Sequence, residues 1–379
     1  MPGFASKLSR KLLGILASLL IAYGFGEILT RLFVPDPAFR RENRIEMWQS
    51  DPLVGYKNKP NFHEYVWGFV PLSTNSMGYR GHEVAAPKPP GTYRIMALGD
   101  SITWGVGVKD SDTYSAALEQ LLNQQEAQKA GVHFEVVNTG VGGYSTHQER
   151  LTFERDHRML CPDLVTLGYT SNDFYPTEDP FWNVRTFHQP AKDNVQRSGD
   201  YPPVIHPRLQ FFWFFRSMVK KVYGQHNLRE AAALTPPLQH AFPPGSFEDR
   251  SWPVLVGHMQ AMKKLADQLG IPFVVLLFPA YPQVLSAEPS PFPQSRMAAD
   301  LEKAGIDSIN LYNAFRGQRE GLFVDWLHLS PWGNRMTAEQ ILHRMEQKDW
   351  LPHSSASLKT CGSSEAGRAG PSAASASVR

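Results

Sequence analysis

The chain has 379 residues, 42% of them hydrophobic, with nine Trp and 22 Phe; this is enough apolar material for one large domain with attachments and too much for a disordered chain. The formal charge of +2 is nearly balanced and no long basic block stands beside stacking aromatics, so nucleic acid is set aside as a partner. There are two cysteines, Cys161 and Cys361, the second in a Ser/Ala/Gly-rich tail, so no stabilising disulfide is expected and the redox compartment is not read from them.

At the N-terminus, Lys7, Arg10 and Lys11 precede the apolar run "LLGILASLLIAYGFG", which continues through Glu27 and Arg31 to Val34. A helix from Leu12 to Val34 rises roughly 34 Å, enough to cross a hydrocarbon core of about 30 Å. Glu27 and Arg31 have the favourable order for a helical ion pair and suit the far membrane interface. The basic flank holds the N-terminal end in the cytoplasm and places everything after Pro35 outside. The rival reading is a cleaved signal peptide, for which Ala22-Tyr23-Gly24 offers a small-x-small site. Residues 1–34 are thus expected as an anchor or signal peptide, and residues 35–90, rich in Pro, Asn and aromatics and carrying "NSMGYRGHE" at 75–83, as an irregular linker folding against the main domain.

Residues 91–350 read as alternating strands and helices. "YRIMALG" (93–99) is a continuous apolar strand, "YSAALEQLLNQ" (114–124) has helical spacing, "FEVVNTG" is a strand, 144–160 a helix and "DLVTLGY" a strand. Downstream come the amphipathic helix "VLVGHMQAMKKLADQLG", the strand "FVVLLF", a helix over 297–304, the strand "SINLY" and a last helix from Thr337. This alternation predicts an α/β fold, a three-layer α/β/α sandwich with a mainly parallel sheet, whose reactive groups collect at the carboxyl ends of the strands. The alternation breaks at about 174–250, where "LQFFWFFRSMVKKVYG" is read as one helix of an insertion: packed aromatic core, a lid over the cleft or a membrane-facing patch. Residues 351–379 lack periodicity and read as a disordered tail.

The strand-end loops supply the chemistry. The first gives Ser101, in "IMALGDSITWGVGV"; Asp100 is expected to fix that turn by bonding to backbone. "NTGVGGYST" has glycines at 140, 142 and 143 that can turn backbone N–H groups toward a ligand. "YTSNDF" gives Asn172 and Asp173, the latter read as structural, and "DWLHLSPWG" gives Asp325 and His328. Together they make an acyl-transfer set of nucleophile, base, carboxylate partner and oxyanion donors. The histidines show no H-x-H or HExxH spacing and no Cys/His cluster, so no metal or other cofactor is expected. Cys161, before Pro162 at a helix end, is read as a buried thiol.

The blocks "GDS" at 99–101, "NTGVGG" at 138–143, "SND" at 171–173 and "DWLH" at 325–328 resemble, in order and context, the SGNH/GDSL hydrolases, over Arg94 to about Leu342. "NSMGYRGHE" and the apolar N-terminus resemble a membrane-anchored bacterial subset of that family. The resemblance implies a flavodoxin-like sheet, Ser101 as nucleophile, His328 as the base and Asp325 as the carboxylate that orients it. It implies an oxyanion hole from the Ser101 N–H, the Gly143 N–H, with Gly142 competing, and the Asn172 side chain. The family's usual Gly two residues before that Asn is Thr170 here, a side chain expected to narrow the cleft or tilt Asn172.

The function so implied is a serine esterase of the bacterial inner membrane, single-pass, with its catalytic domain periplasmic or extracellular. Its substrate is expected to be an acyl, foremost acetyl, ester of an envelope or extracellular glycan. Trp104, Tyr144, Tyr169 and Trp326 flank the site residues and are candidates for stacking on sugar rings, against the default of packing. The alternatives are an O-acetyltransferase with the same triad, a lipase or thioesterase, and a non-catalytic envelope-assembly or glycan-binding protein. Protein partners and oligomeric state are not read from the sequence.

Overall fold

The computed structural model describes residues 2–33, 47–66, 70–170, 173, 211, 242, 244–285, 290–318 and 321–358. Apart from Phe211, the helix predicted at 209–224 lies outside these residues, as do most of the insertion and the tail after 358.

Helix α1 spans Pro2–Phe33, longer at its N-terminal end than the apolar run alone suggests, and its segment Leu13–Phe33 has a mean hydropathy of 1.7. By length and composition that segment can cross a membrane; a signal sequence passes the same test. Its apolar side chains, including Leu19, Ile21 and Phe25, are exposed, so the helix is not a core helix of the domain. Arg31 and Glu27 pair at 2.9 Å, in the i,i+4 register expected. The backbone N–H of Phe211, from the insertion, donates to Glu27 Oε2 at 2.8 Å.

The region read as an irregular linker carries four short strands. β1 (Trp48–Asp51) pairs antiparallel with β2 (Gly55–Asn58), and β3 (His63–Val66) with β4 (Val70–Ser73). Strands of four residues give too short an alternation to stand out in the sequence. The β1–β2 turn is held by Asp51 Oδ1, which accepts from Leu53 N and Val54 N at 3.0 and 3.2 Å.

The main sheet is parallel throughout, formed by β5 (Thr92–Gly99), β6 (His133–Asn138), β7 (Leu164–Tyr169), β8 (Phe273–Leu277) and β9 (Asp307–Asn310). Spatial order is β6-β5-β7-β8-β9, the flavodoxin-like order. Alternate residues of each strand feed two cores. Ile95 and Ala97 face α3 (Tyr114–Gln125) and α7 (Pro331–Gln347), following the short α2 (Ser101–Trp104). Met96 and Leu98 face α4 (Thr146–Leu160), α5 (Phe247–Leu269) and α6 (Gln294–Lys303). Helices therefore cover both faces, which is why β5, buried at every position, reads as an unbroken apolar run from Ile95 to Gly99.

Besides α1 and α6, whose starts at Pro2 and Gln294 precede the predicted ones, two further helices start upstream of expectation. α7 begins at Pro331 rather than Thr337, because Ser330 caps it by accepting from Gly333 N at 3.2 Å and Pro331 occupies a first-turn position where no N–H is needed. α5 begins at Phe247, capped by Ser246, and accommodates Pro253 inside the helix.

Cys161 differs from the expectation of a buried thiol. It caps α4 in the left-handed conformation at φ 48°, is partly exposed, and is disulfide-bonded, with no free cysteine among the described residues. Cys361 lies outside them.

Candidate active site

In a sheet of this order the crevice opens where neighbouring strands send their connections to opposite faces, here between β5 and β7. Ser101 follows β5 directly. The chain can turn this sharply because Gly99 admits what no side chain could: a Cβ there would lie 2.0 Å from Thr103 Oγ1. Asp100 Oδ1 accepts from Ile102 N at 2.9 Å, the backbone bond expected of it, and starts α2 with Ser101 as first residue.

Ser101 is partly exposed, and its Oγ lies 2.8 Å from His328 Nε2. His328 Nδ1 lies 2.7 Å from Asp325 Oδ2. The other carboxylate oxygen, Oδ1, accepts from Leu327 N at 2.9 Å and His328 N at 2.7 Å. Burial alone would raise the Asp325 pKa, but the His328 hydrogen bond and charge and the two backbone N–H groups hold it below the ordinary aspartate value. An ionised Asp325 favours the tautomer with the proton on Nδ1, which leaves Nε2 able to take the Ser101 proton.

The glycine loop after β6 packs against the end of α2. A Cβ on Gly140 would fall 2.5 Å from Trp104 N, so only glycine fits there. Val141 to Tyr144 form a turn closed by Tyr144 N to Val141 O at 3.1 Å, with Gly143 at φ 82°. Asn172 and Ser171 lie outside the described residues.

The structure separates the aromatic candidates. Trp104 is fully buried, with the Arg80 guanidinium 5.3 Å from its ring, while Tyr144 and Tyr169 are buried at 2% and 0% exposure. None of these three offers a ring face to a sugar; they are packing residues. Trp326, between Asp325 and His328, is 53% exposed and is able to. Thr170 is also corrected: its side chain is fully buried and its hydroxyl donates to Asp100 Oδ2 at 3.1 Å, so it does not line a cleft.

Sequence reasoning missed the acidic cluster around that bond. Asp173 Oδ2 accepts from Thr170 N at 2.8 Å, and Asp100, Glu149 and Asp173 are all buried. Burial, followed by Asp100, pushes the Glu149 carboxyl well above its usual range; burial, Glu149 and Asp100 do the same to Asp173. Glu149 sits on the α4 face that also carries Phe153 and Asp156, where helical spacing marks it as inward-facing. Among the described residues no group of three or more His, Cys, Asp or Glu is arranged to hold a metal ion. A cavity of about 480 Å³ lies behind the glycine loop, lined by Lys57, Met77, Thr139, Arg155 and Met159 among others, and does not include Ser101 or His328.

The GDSL-like lipase/acylhydrolase family matches residues 97–336. No curated protein matches the chain. Similar solved structures include TesA, at 13% identity with 67% of this chain and 98% of that one covered and a TM-score of 0.38. A lipase/acylhydrolase from Enterococcus faecalis is 14% identical, covers 68% and 96%, and has a TM-score of 0.35. A two-domain esterase active on acetylated mannans is also 14% identical, with 68% and 49% covered and a TM-score of 0.36.

Proposed function

Because this chain belongs to the GDSL-like lipase/acylhydrolase family and is an ester-bond hydrolase, we propose that Ser101 is its nucleophile, His328 its general base and Asp325 the carboxylate that orients the imidazole. The observation that carries this reading is the unbroken run of contacts, 2.7 Å from Asp325 to His328 and 2.8 Å from His328 to Ser101. His328 Nε2 takes the hydroxyl proton as Ser101 Oγ attacks the ester carbonyl; the imidazolium is stabilised by Asp325 and returns the proton to the departing alcohol. A water activated by the same imidazole then releases the acid from the acyl-enzyme.

The negative oxygen formed in each half-reaction is met by the N–H groups of Ser101 and Gly143 and by the Asn172 side chain. Such donors act on charge present only in the transition state, so their loss lowers kcat more than it raises KM.

The substrate is an acyl, and foremost an acetyl, ester on an envelope or extracellular glycan, and Trp326 supplies the ring on which a sugar stacks. The enzyme acts outside the cytoplasm, anchored through α1: basic residues precede the apolar segment, and a disulfide at Cys161 suits an oxidising compartment. Acyl release from a panel of p-nitrophenyl esters and acetylated glycans tests the reading. Short acyl chains and acetylated glycans should be turned over best. Turnover confined to long-chain esters would replace this substrate class with lipids, and transfer to added sugar in preference to water would make the protein an acetyltransferase. A reporter fused after Trp350 should be active only outside the cytoplasm, with the protein retained in carbonate-washed membranes; release into the periplasm would overturn the anchor.

A further inference from the structure

The glycine loop is held in part from outside the region that the family match covers, residues 97–336. The Tyr56 hydroxyl donates to the Gly142 carbonyl at 2.9 Å, and Asn58 Nδ2 donates to the Gly140 carbonyl at 3.1 Å. Both residues belong to β2. Tyr56 is itself locked: it is 3% exposed, its ring meets Tyr144 edge-on at 5.3 Å and Trp48 at 5.0 Å, and its carbonyl accepts the Tyr144 hydroxyl at 2.5 Å.

The Gly142 carbonyl and the Gly143 N–H belong to one peptide plane. In a trans peptide they point in opposite directions from a rigid unit, so whatever fixes the oxygen fixes the direction of the N–H. A peptide between two glycines is the one most able to rotate, since neither residue carries a Cβ to oppose it. A hydrogen bond to the carbonyl also polarises the amide and strengthens its N–H as a donor.

We infer that Tyr56 is a positioning residue for the hydrolysis reaction, its hydroxyl clamping the Gly142–Gly143 peptide so that the Gly143 N–H is presented to the oxyanion. The inference rests on the reading of Ser101 and Gly143 given above. Tyr56 acts through the Gly142 carbonyl and not by touching substrate, and the clamp is supplied by a strand outside the residues that the family match covers.

The test is Tyr56→Phe in the full-length protein, which removes the hydroxyl and leaves the ring packing. Tyr93→Phe is the matched control, because it removes a similarly buried hydroxyl that also donates to a backbone carbonyl, Trp350 O at 2.8 Å, but at the N-terminal end of β5, away from the glycine loop. Kinetics on p-nitrophenyl acetate should show kcat about 10-fold lower for Tyr56→Phe with KM within about twofold, a fraction of the loss that follows deletion of a donor outright. Affinity for a trifluoromethyl ketone, whose adduct with Ser101 carries the oxyanion, should fall by the same factor, while Tyr93→Phe stays within about threefold of wild type. A Tyr56→Phe enzyme with wild-type kcat overturns the inference, as do equal losses in both variants accompanied by equal falls in melting temperature. Ser101→Ala measured alongside separates the two claims. If it abolishes turnover and Tyr56→Phe does nothing, the clamp alone is wrong; if it retains turnover, the nucleophile reading fails and takes the clamp with it.

Discussion

Two loops meet at Ser101, and they are made rigid in different ways. The loop carrying Asp325 and His328 is held mainly by itself: Asp325 accepts from Leu327 N and His328 N, Val324 N donates to His328 O at 2.9 Å, and Ser330 N donates to Leu322 O at 2.8 Å, with one outside tie, Tyr281 N to Trp326 O at 2.9 Å. The glycine loop, by contrast, is held by segments distant in sequence. Arg80 N donates to Asn138 O, Asn58 reaches Gly140 O, and Tyr56 reaches Gly142 O. A loop that must carry a side chain in one orientation can organise around that side chain. A loop whose chemistry is backbone N–H has only its flanking side chains for this, Asn138 Oδ1 accepting from Gly140 N and the Tyr144 hydroxyl reaching Tyr56 O, and draws further ties from distant segments.

This difference can be broken most severely at its common point. Ser101→Ala and His328→Ala should each lower kcat by about 10⁴-fold or more, and the double variant should be little worse than either, because the groups act as a unit. Asp325→Ala attacks the self-held loop twice, removing the partner of Nδ1 and the acceptor of two backbone N–H groups. It should cost about 10³- to 10⁴-fold in kcat. Asp325 also gives this loop a pH limit. Its pKa is lowered in the fold, so its contribution is full above the ordinary aspartate value of about 4 and is lost as pH falls through the lowered one. Wild-type turnover at acid pH should therefore not be limited by protonation of Asp325 until below about 4, as read from a kcat–pH profile.

On the imported side, Arg80 is the largest single tie. Its guanidinium is buried, donates to Asp110 and to the carbonyls of Trp104, Gly105 and Val108, and joins "NSMGYRGHE" to the segment after the nucleophile. Arg80→Ala leaves these acceptors and a carboxylate without their partner and should destabilise the domain by about 3 kcal/mol or more, seen as a fall in melting temperature. A shift within experimental scatter would mean the extension is dispensable to the fold. The smallest effect belongs to Glu149. Its carboxyl pKa is raised by burial and by Asp100, so it favours the folded state most below the ordinary glutamate value of about 4.3, and that contribution is lost as pH rises toward the raised one. Glu149→Gln, neutral at every pH, should gain stability relative to wild type as pH rises above about 4.3; a difference independent of pH would contradict this.

The sheet was legible in the sequence because strands buried on both faces, such as Ile95 to Gly99 and Leu164 to Tyr169, are apolar at nearly every position, and the helices between them repeat at 3.6 residues. Ser101, Asp325 and His328 stood out because their neighbours are turn formers at strand ends, in the order of a known family. What escaped notice were effects of contact between distant segments. Nothing about Tyr56 in isolation shows that its hydroxyl reaches Gly142, and nothing in "WGVG" shows that Trp104 lies under Arg80 instead of in a cleft. Thr170 was expected at the cleft because the family's glycine is there; the side chain turns inward because Asp100 offers it a buried acceptor. Cys161 carried no sign of its disulfide, since spacing says little when only two cysteines exist.

The central claim is that Ser101 is the nucleophile, activated by His328. Reaction with a fluorophosphonate, followed by mass analysis of the digested protein, tests it without knowledge of the natural substrate. The account predicts one adduct, on the peptide containing Ser101, absent in Ser101→Ala and formed far more slowly in His328→Ala. Labelling of Ser101→Ala at the wild-type rate, or an adduct on any other residue, would contradict it.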